Sequence, residues 1–202
     1  MVRPRSYIER AVSDKRVAKA VLSLDRSLFV PKELAREASQ DRALPIGKGQ
    51  TISQPSLVAI MTEAICPQPD HRVLEVGAGS GFQAAVLSRL VKEVYAIEID
   101  PELADAARKR LERLRFTNIE IREGDGHDGW IEKAPFDAII VAAAADDVPE
   151  PLLNQLRCGG RMVIPIGTPF GPQELILIEK HQDGLRTRSL APVRFVAFRR
   201  TI

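Results

Sequence analysis

Only two cysteines occur in this chain, Cys66 and Cys158, and they form no Cys-x-x-Cys pair. That excludes a disulfide scaffold and leaves two free thiols in a reducing compartment as the expectation. Histidine is as sparse: His71, His127 and His181 are scattered without metal-ligand spacing. Aromatic residues make up 5% of the chain, and none alternate with basic residues at base-stacking spacing. No apolar run approaches the roughly 18 residues of a membrane span. The first ten residues lack the apolar stretch of a secretory signal. Repeats, low-complexity tracts and Gly/Ser linkers are missing too. The expectation is a cytoplasmic monomer with no metal, no nucleic-acid partner and no membrane partner.

What is present suits a globular fold. The chain is 45% hydrophobic and 28% charged over 202 residues, which fits one domain with a full core. The net charge of +2 is unevenly spread: residues 1–42 carry +4, residues 43–180 carry −6, and residues 181–202 carry +4. Basic ends suit nucleic acid or an anionic substrate. Without interleaved aromatics, a solvated surface is the simpler reading.

Residues 4–40 read as two or three short helices; Val17, Val21, Leu22 and Leu24 precede Phe29-Val30-Pro31, where a helix stops. Residues 41–53 read as a loop, because two glycines and a proline break any period. Pro55 suits a first helical turn, and Leu57, Ile60, Met61 and Ala64 follow at helical spacing. From residue 72 onward strands and helices alternate. Strands are expected at 72–76, 94–98, 119–122, 137–141 and 161–166, and helices at 82–91, 101–114 and 149–156. Two last strands, at 174–180 and 190–198, have no helix between them and suggest an antiparallel hairpin at one edge. The pattern predicts an α/β fold: a doubly wound, mostly parallel seven-stranded sheet with helices on both faces, plus N-terminal helices. Residues 1–202 then form a single domain, with helices and a loop over 1–55 and a ligand-binding core over 72–202.

The richest segment is Leu74-Glu75-Val76-Gly77-Ala78-Gly79-Ser80-Gly81, a strand running into a glycine turn that opens a helix. Glycine permits positive φ and lets a ligand lie against the backbone. A Gly-x-Gly alone is weak evidence, since many such turns need glycine. Its neighbours sharpen it. The spacing is GxGxG, not the GxGxxG of dinucleotide folds, which argues against a nucleotide-dependent oxidoreductase. Glu75 precedes the turn and would repel a pyrophosphate, but it suits a ligand with positive charge or amine donors. Glu98 ends the next strand, 21 positions after Gly77, where a carboxylate accepts ribose hydroxyls. Asp125, in Gly124-Asp125-Gly126, follows the third strand on the same rim.

Three acidic strand ends and this turn resemble the class I methyltransferases that use S-adenosylmethionine. Upstream, Ala43-Leu-Pro-Ile-Gly-Lys-Gly-Gln-Thr-Ile-Ser-Gln-Pro55 looks like the signature loop of the protein-L-isoaspartate (D-aspartate) O-methyltransferases. Asp25-Arg26-Ser-Leu-Phe-Val-Pro31, Gly124–Trp130, Ala134–Ile139, Leu156–Arg161 and Val163–Gly167 fit the same family. The resemblance implies transfer of a methyl group from S-adenosylmethionine to the free α-carboxylate of L-isoaspartyl, and D-aspartyl, residues in aged proteins and peptides.

By that resemblance, Glu75, Gly77, Ala78, Gly79, Ser80, Gly81, Glu98, Ile99, Asp125 and Gly126 hold the cofactor, with Asp125 facing the adenine amine. Thr51, Ser53, Gln54, Pro55 and Val196 meet the substrate, and Ser53 is the catalytic residue. From chemistry alone, Ser53 and Thr51 read equally as caps of the helix at Pro55. The chain departs from the family's pattern at Ala142–Asp146, where Thr-Ala-Ala-Ala-Pro is common, and at Cys158 and Ala197, where proline is usual. Two other readings stay open at this point: a divergent methyltransferase acting on another carboxylate or small molecule, and a non-catalytic adaptor retaining the cofactor fold.

Overall fold

The computed structural model describes residues 4–168 and 171–201, with side chains from residue 7 onward. Two helices open the fold, α1 (Pro4–Ala11) and α2 (Lys15–Leu22). Asp14 caps α2 by accepting from the Arg16 amide at 2.8 Å. Two short 3-10 segments follow, Arg26–Phe29 and Lys32–Glu37. A small hairpin, β1 (Leu44–Gly47) and β2 (Gln50–Ile52), leads into α3 (Pro55–Ala64). Then come β3 (Arg72–Val76), α4 (Phe82–Leu87), β4 (Glu93–Glu98), α5 (Pro101–Arg113) and β5 (Ile119–Glu123). The remaining elements are β6 (Phe136–Val141), α6 (Glu150–Gln155), β7 (Leu156–Gly167), β8 (Gln173–His181) and β9 (Gly184–Val193).

Seven strands form one sheet in the order β5-β4-β3-β6-β7-β8-β9. The first five are parallel, and β8 and β9 join as antiparallel neighbours. The chain winds outward from β3 through β4 to β5, then returns to the other side of β3 with β6. That reversal opens a crevice at the carboxyl ends of β3 and β6.

Alternating side chains feed two layers. Val73, Val94, Ala138, Ile140 and Val163 cluster with Met61 and Ile65 from α3 and its end, and with Ala84 and Leu87 of α4. Leu74, Val76, Ile97, Ile139 and Val141 cluster with Trp130 and with Leu152 of α6. Leu74, Ile139 and Ile140 are wholly buried, and such burial contributes about 1.5–3 kcal/mol for each side chain. The N-terminal helices pack against α3 and α4, and Val17 and Val21 share a cluster with Val58 and Ala59 of α3 and Val86 of α4.

Four expectations need correction. The segment read as a loop at 41–53 contains the β1–β2 hairpin; its glycines make the tight turn, with Gly47, Lys48 and Gly49 all at positive φ. The helix expected at 82–91 ends at Leu87, and the amides of Leu90 and Val91 turn back onto the Leu87 carbonyl. The strand expected at 161–166 begins at Leu156, which pairs with Phe136 ahead of a bulge carrying the exposed Cys158. The last strand spans 184–193, not 190–198. It is the exposed edge of the sheet, so it carries no apolar alternation to read. The apolar residues beyond it leave the sheet and attach to the loop after β6 instead. Ala144 N donates to Val196 O (2.8 Å), and Phe198 N donates to Ala144 O (2.7 Å). This short ladder skips the Ala197 amide.

Candidate active site

A cleft of about 850 Å³, its mouth included, opens at the crevice between the carboxyl ends of β3, β4 and β6. Gln50–Ser53 form one wall, the Gly77–Ser80 turn the floor, and Val196–Arg199 the opposite wall. Val58 and Met61 of α3 and Phe82 of α4 make it largely apolar, and Ala142 closes the β6 side.

The glycine turn is built from the strands it joins. Gly77 N (2.8 Å) and Ala78 N (3.1 Å) both donate to Ile97 O at the end of β4. Gly77, Gly79 and Gly81 have φ of 90°, 52° and 82°, which non-glycine residues rarely adopt. Gly81 ends the turn as the cap residue of α4, packed on Leu111 of α5, so it shapes the turn without lining the cleft. From α5, Arg110 Nη1 donates to Ser80 O at 2.8 Å. A methyl group on Gly79 would lie 3.3 Å from Ile46 Cδ1, so the hairpin sits directly over the turn. Its tip is tied down by Lys48, whose Nζ lies 2.5 Å from Glu102 Oε1 on α5.

Two buried carboxylates face this turn. Glu98 Oε2 accepts from Gly79 N at 2.7 Å, and Oε1 accepts from Asp100 N at 3.0 Å. Glu75 is 1% exposed, and its Oε2 has no hydrogen-bond partner. Burial, and then the Glu98 charge, push its carboxyl well above the ordinary carboxylate range. Arg199 is the one cation among the described residues that line the cleft. A buried, unpartnered carboxylate beside a second one calls for a positively charged ligand. A sulfonium or ammonium fits that place; a phosphate does not.

Of the residues singled out from sequence, Thr51, Ser53, Glu75, Gly77, Ala78, Gly79, Ser80, Glu98, Ile99, Gly126 and Val196 line the cleft together. Ser53 faces it with a hydroxyl that hydrogen-bonds to no other described residue, and the cap residue of α3 is Gln54, without a capping side chain. Gln54 instead donates from Nε2 to Ser56 Oγ at 2.9 Å, and Pro55 lines a separate cavity beneath the N-terminal helices. Asp125 lies outside the cleft wall. Its Oδ1 accepts from His127 N (2.9 Å), and its Oδ2 accepts from Arg200 Nε (3.1 Å) and Thr201 N (3.0 Å). Burial raises its pKa, but those hydrogen bonds outweigh it and the net shift is downward. The sequence reading quoted Arg26 within a family-like stretch but gave it no place at the site, where its buried guanidinium donates to the Ser53 carbonyl at 3.1 Å. An arginine opening the four-residue 3-10 segment Arg26–Phe29 gives no periodicity that marks it as buried.

Residues 5–201 match the model of the family described as protein-L-isoaspartate (D-aspartate) O-methyltransferase. The chain belongs to that family. Protein-L-isoaspartate O-methyltransferase 2 of Polaromonas sp. is 52% identical over 193 residues, covering 95% of this chain and 92% of its own. The Myxococcus xanthus protein-L-isoaspartate O-methyltransferase is 53% identical over 194 residues, covering 94% and 92%. A solved protein-L-isoaspartate O-methyltransferase superposes with a TM-score of 0.87 at 30% identity; the match covers 96% of this chain and 64% of that one. A second, from Plasmodium falciparum in complex with S-adenosyl-L-homocysteine, shares the fold over the full length of both chains, with a TM-score of 0.83 at 24% identity. The protein-L-isoaspartate O-methyltransferase fold thus accounts for the whole described chain. Its activity is that of a protein-L-isoaspartate O-methyltransferase. Among the described residues no group of His, Cys, Asp and Glu is placed to hold a metal ion, and no helix is long and apolar enough to cross a membrane.

Proposed function

We propose that this cleft holds S-adenosylmethionine on the glycine turn and receives an isoaspartyl side chain at Ser53. The observation that carries the reading is the pairing, in one cleft, of the unpartnered Glu75 carboxylate with the uncommitted Ser53 hydroxyl. S-adenosylmethionine, when bound, supplies an electrophilic methyl group carried on a sulfonium. Glu75 offsets the positive charge of the methionyl end. Glu98, already fixed by two backbone amides, offers its remaining lone pairs to the ribose hydroxyls.

The substrate carboxylate needs no general base, because with an ordinary pKa near 4 it is ionised at pH 7. What it needs is alignment and exclusion of water. Ser53, with Thr51 beside it, donates to one carboxylate oxygen and leaves the other free to attack. Val196, Phe198 and Ile52 supply dry walls. Because the walls come from residues 50–53, 58, 61, 75–80, 82–83, 97–99, 126, 142–143 and 196–199, we read the chain as one functional domain. Its substrates are then isoaspartyl-containing proteins and peptides, met in the cytoplasm by a monomer, with no part for nucleic acid.

Labelled S-adenosylmethionine tests this with an isoaspartyl peptide and its normal aspartyl twin. Base-labile methyl ester should form on the first alone. Equal labelling of both, or of neither, overturns the substrate assignment.

A further inference from the structure

The hairpin that walls the cleft has little of its own to hold it. Its two strands share a short antiparallel ladder, Ile46 sits against the glycine turn, and Lys48 at the tip pairs with Glu102 of α5. Its base is gripped by the Arg26 side chain. Arg26 Nη1 donates to Ala38 O (2.9 Å) and Gln40 O (3.4 Å); Nη2 donates to Arg42 O (2.9 Å) and Ser53 O (3.1 Å). Arg42 lies just before the hairpin and Ser53 just after it, so one nitrogen grips both feet. Asp41 adds a second clasp across the same gap, accepting from Ser56 N at 2.9 Å.

This guanidinium is an expensive choice for a merely structural post. It is 5% exposed, it has no carboxylate ion-pair partner among the described residues, and its Nε–H has no acceptor. Burial lowers its pKa to about 10. An apolar side chain would fill such a position with less penalty. A planar fork of donors does one thing an apolar group does not: it fixes several carbonyls at set angles at once.

We propose that Arg26 is a positioning residue for methyl transfer, clamping the feet of the β1–β2 hairpin so that Ser53 faces the substrate carboxylate. The proposal rests on the role of Ser53 given above. It places a determinant of the reaction outside the cleft, on a residue that touches neither ligand.

A double-variant cycle tests it. Arg26→Lys keeps the charge but loses the fork, and should lower kcat/KM for an isoaspartyl peptide by about ten- to a hundredfold, as a misplaced catalytic group does. S-adenosylhomocysteine affinity, read by calorimetry, should change by less than about threefold, since Glu75 and Glu98 are untouched. Combined with Ser53→Ala, Arg26→Lys should add little further loss, because the clamp acts through Ser53. Amide exchange at Thr51, Ile52 and Ser53 should quicken in Arg26→Lys with the β3–β6 core still protected. Multiplicative losses in the double variant, or unchanged exchange at 51–53, overturn the clamp. If wild type fails to methylate the peptide while exchange at 51–53 still responds to Arg26→Lys, the substrate reading has failed and the clamp stands as hairpin geometry alone.

Discussion

The Glu98 carboxylate accepts the backbone amide of Gly79 across the cleft floor at 2.7 Å. The residue read from sequence as a ribose acceptor is therefore also a strut of the glycine turn. Removing it does two things at once. Glu98→Ala should weaken S-adenosylhomocysteine binding by about 1.5–3 kcal/mol, the range for hydrogen bonds to a charged group. It should also destabilise the unliganded protein by about 1–3 kcal/mol, because two amides lose their acceptor. Calorimetry and denaturant melts on one preparation separate the effects; unchanged affinity in a folded variant would remove Glu98 from the site.

Ser53 gives the opposite pattern. Its hydroxyl makes no bond within the described chain and caps no helix, so Ser53→Ala should shift stability by less than about 0.5 kcal/mol. Methyl transfer should fall by a factor on the order of 10 to 1000, with cofactor affinity unchanged. Full activity in the variant would show that the hydroxyl is a bystander.

Glu75 makes the unliganded protein sensitive to pH. Its folded-state pKa is raised, chiefly by burial, so the folded chain binds that proton more tightly than the unfolded chain. The stability this brings is complete below the ordinary carboxylate range and is lost as pH rises through the raised value. Urea melts of unliganded protein should therefore weaken as pH climbs above about 5, and Glu75→Gln should flatten that slope. The same variant should bind S-adenosylmethionine about tenfold or more weakly, through loss of a charge-assisted contact. A variant with the wild-type slope would place the titration elsewhere.

Asp125 has the reverse sign. Its pKa is lowered by three donors together, against the upward push of burial. That contribution is present above the ordinary carboxylate range and is lost as pH falls through the lowered value. Arg200 is half exposed, so its share is small, below about 1 kcal/mol. Carbon NMR titration of Arg200→Ala should show the Asp125 pKa moving up toward its ordinary value. No movement would mean that the backbone amides of His127 and Thr201 carry the whole shift.

The strands bearing the cofactor turn were legible because they are buried on both faces, and β3 runs straight into glycine: β3 falls at 72–76 as read, and β4 begins one residue early. The β9 edge strand was not, because solvent places no demand for alternation on residues such as Thr187 and Ser189. At the site, residue type and spacing marked Glu75 and Glu98, and the family resemblance marked Ser53; all three line the cleft. They could not reveal that Arg200 and Thr201, some 75 positions along, meet the carboxylate of Asp125. Nor does sequence show four carbonyls converging on Arg26, since backbone acceptors carry no residue signature.

The ladder between Ala144 and the 196–198 segment has a consequence for how such chains diverge. Its two hydrogen bonds use the Val196 carbonyl and the Phe198 amide, and residue 197 contributes no donor. Proline, which lacks one, breaks no bond there. Alanine and proline codons differ by a single first-position base, so one base change exchanges the two with both bonds of the ladder kept. Residue 197 also lines the cleft, so such an exchange reshapes the wall without loosening its anchorage.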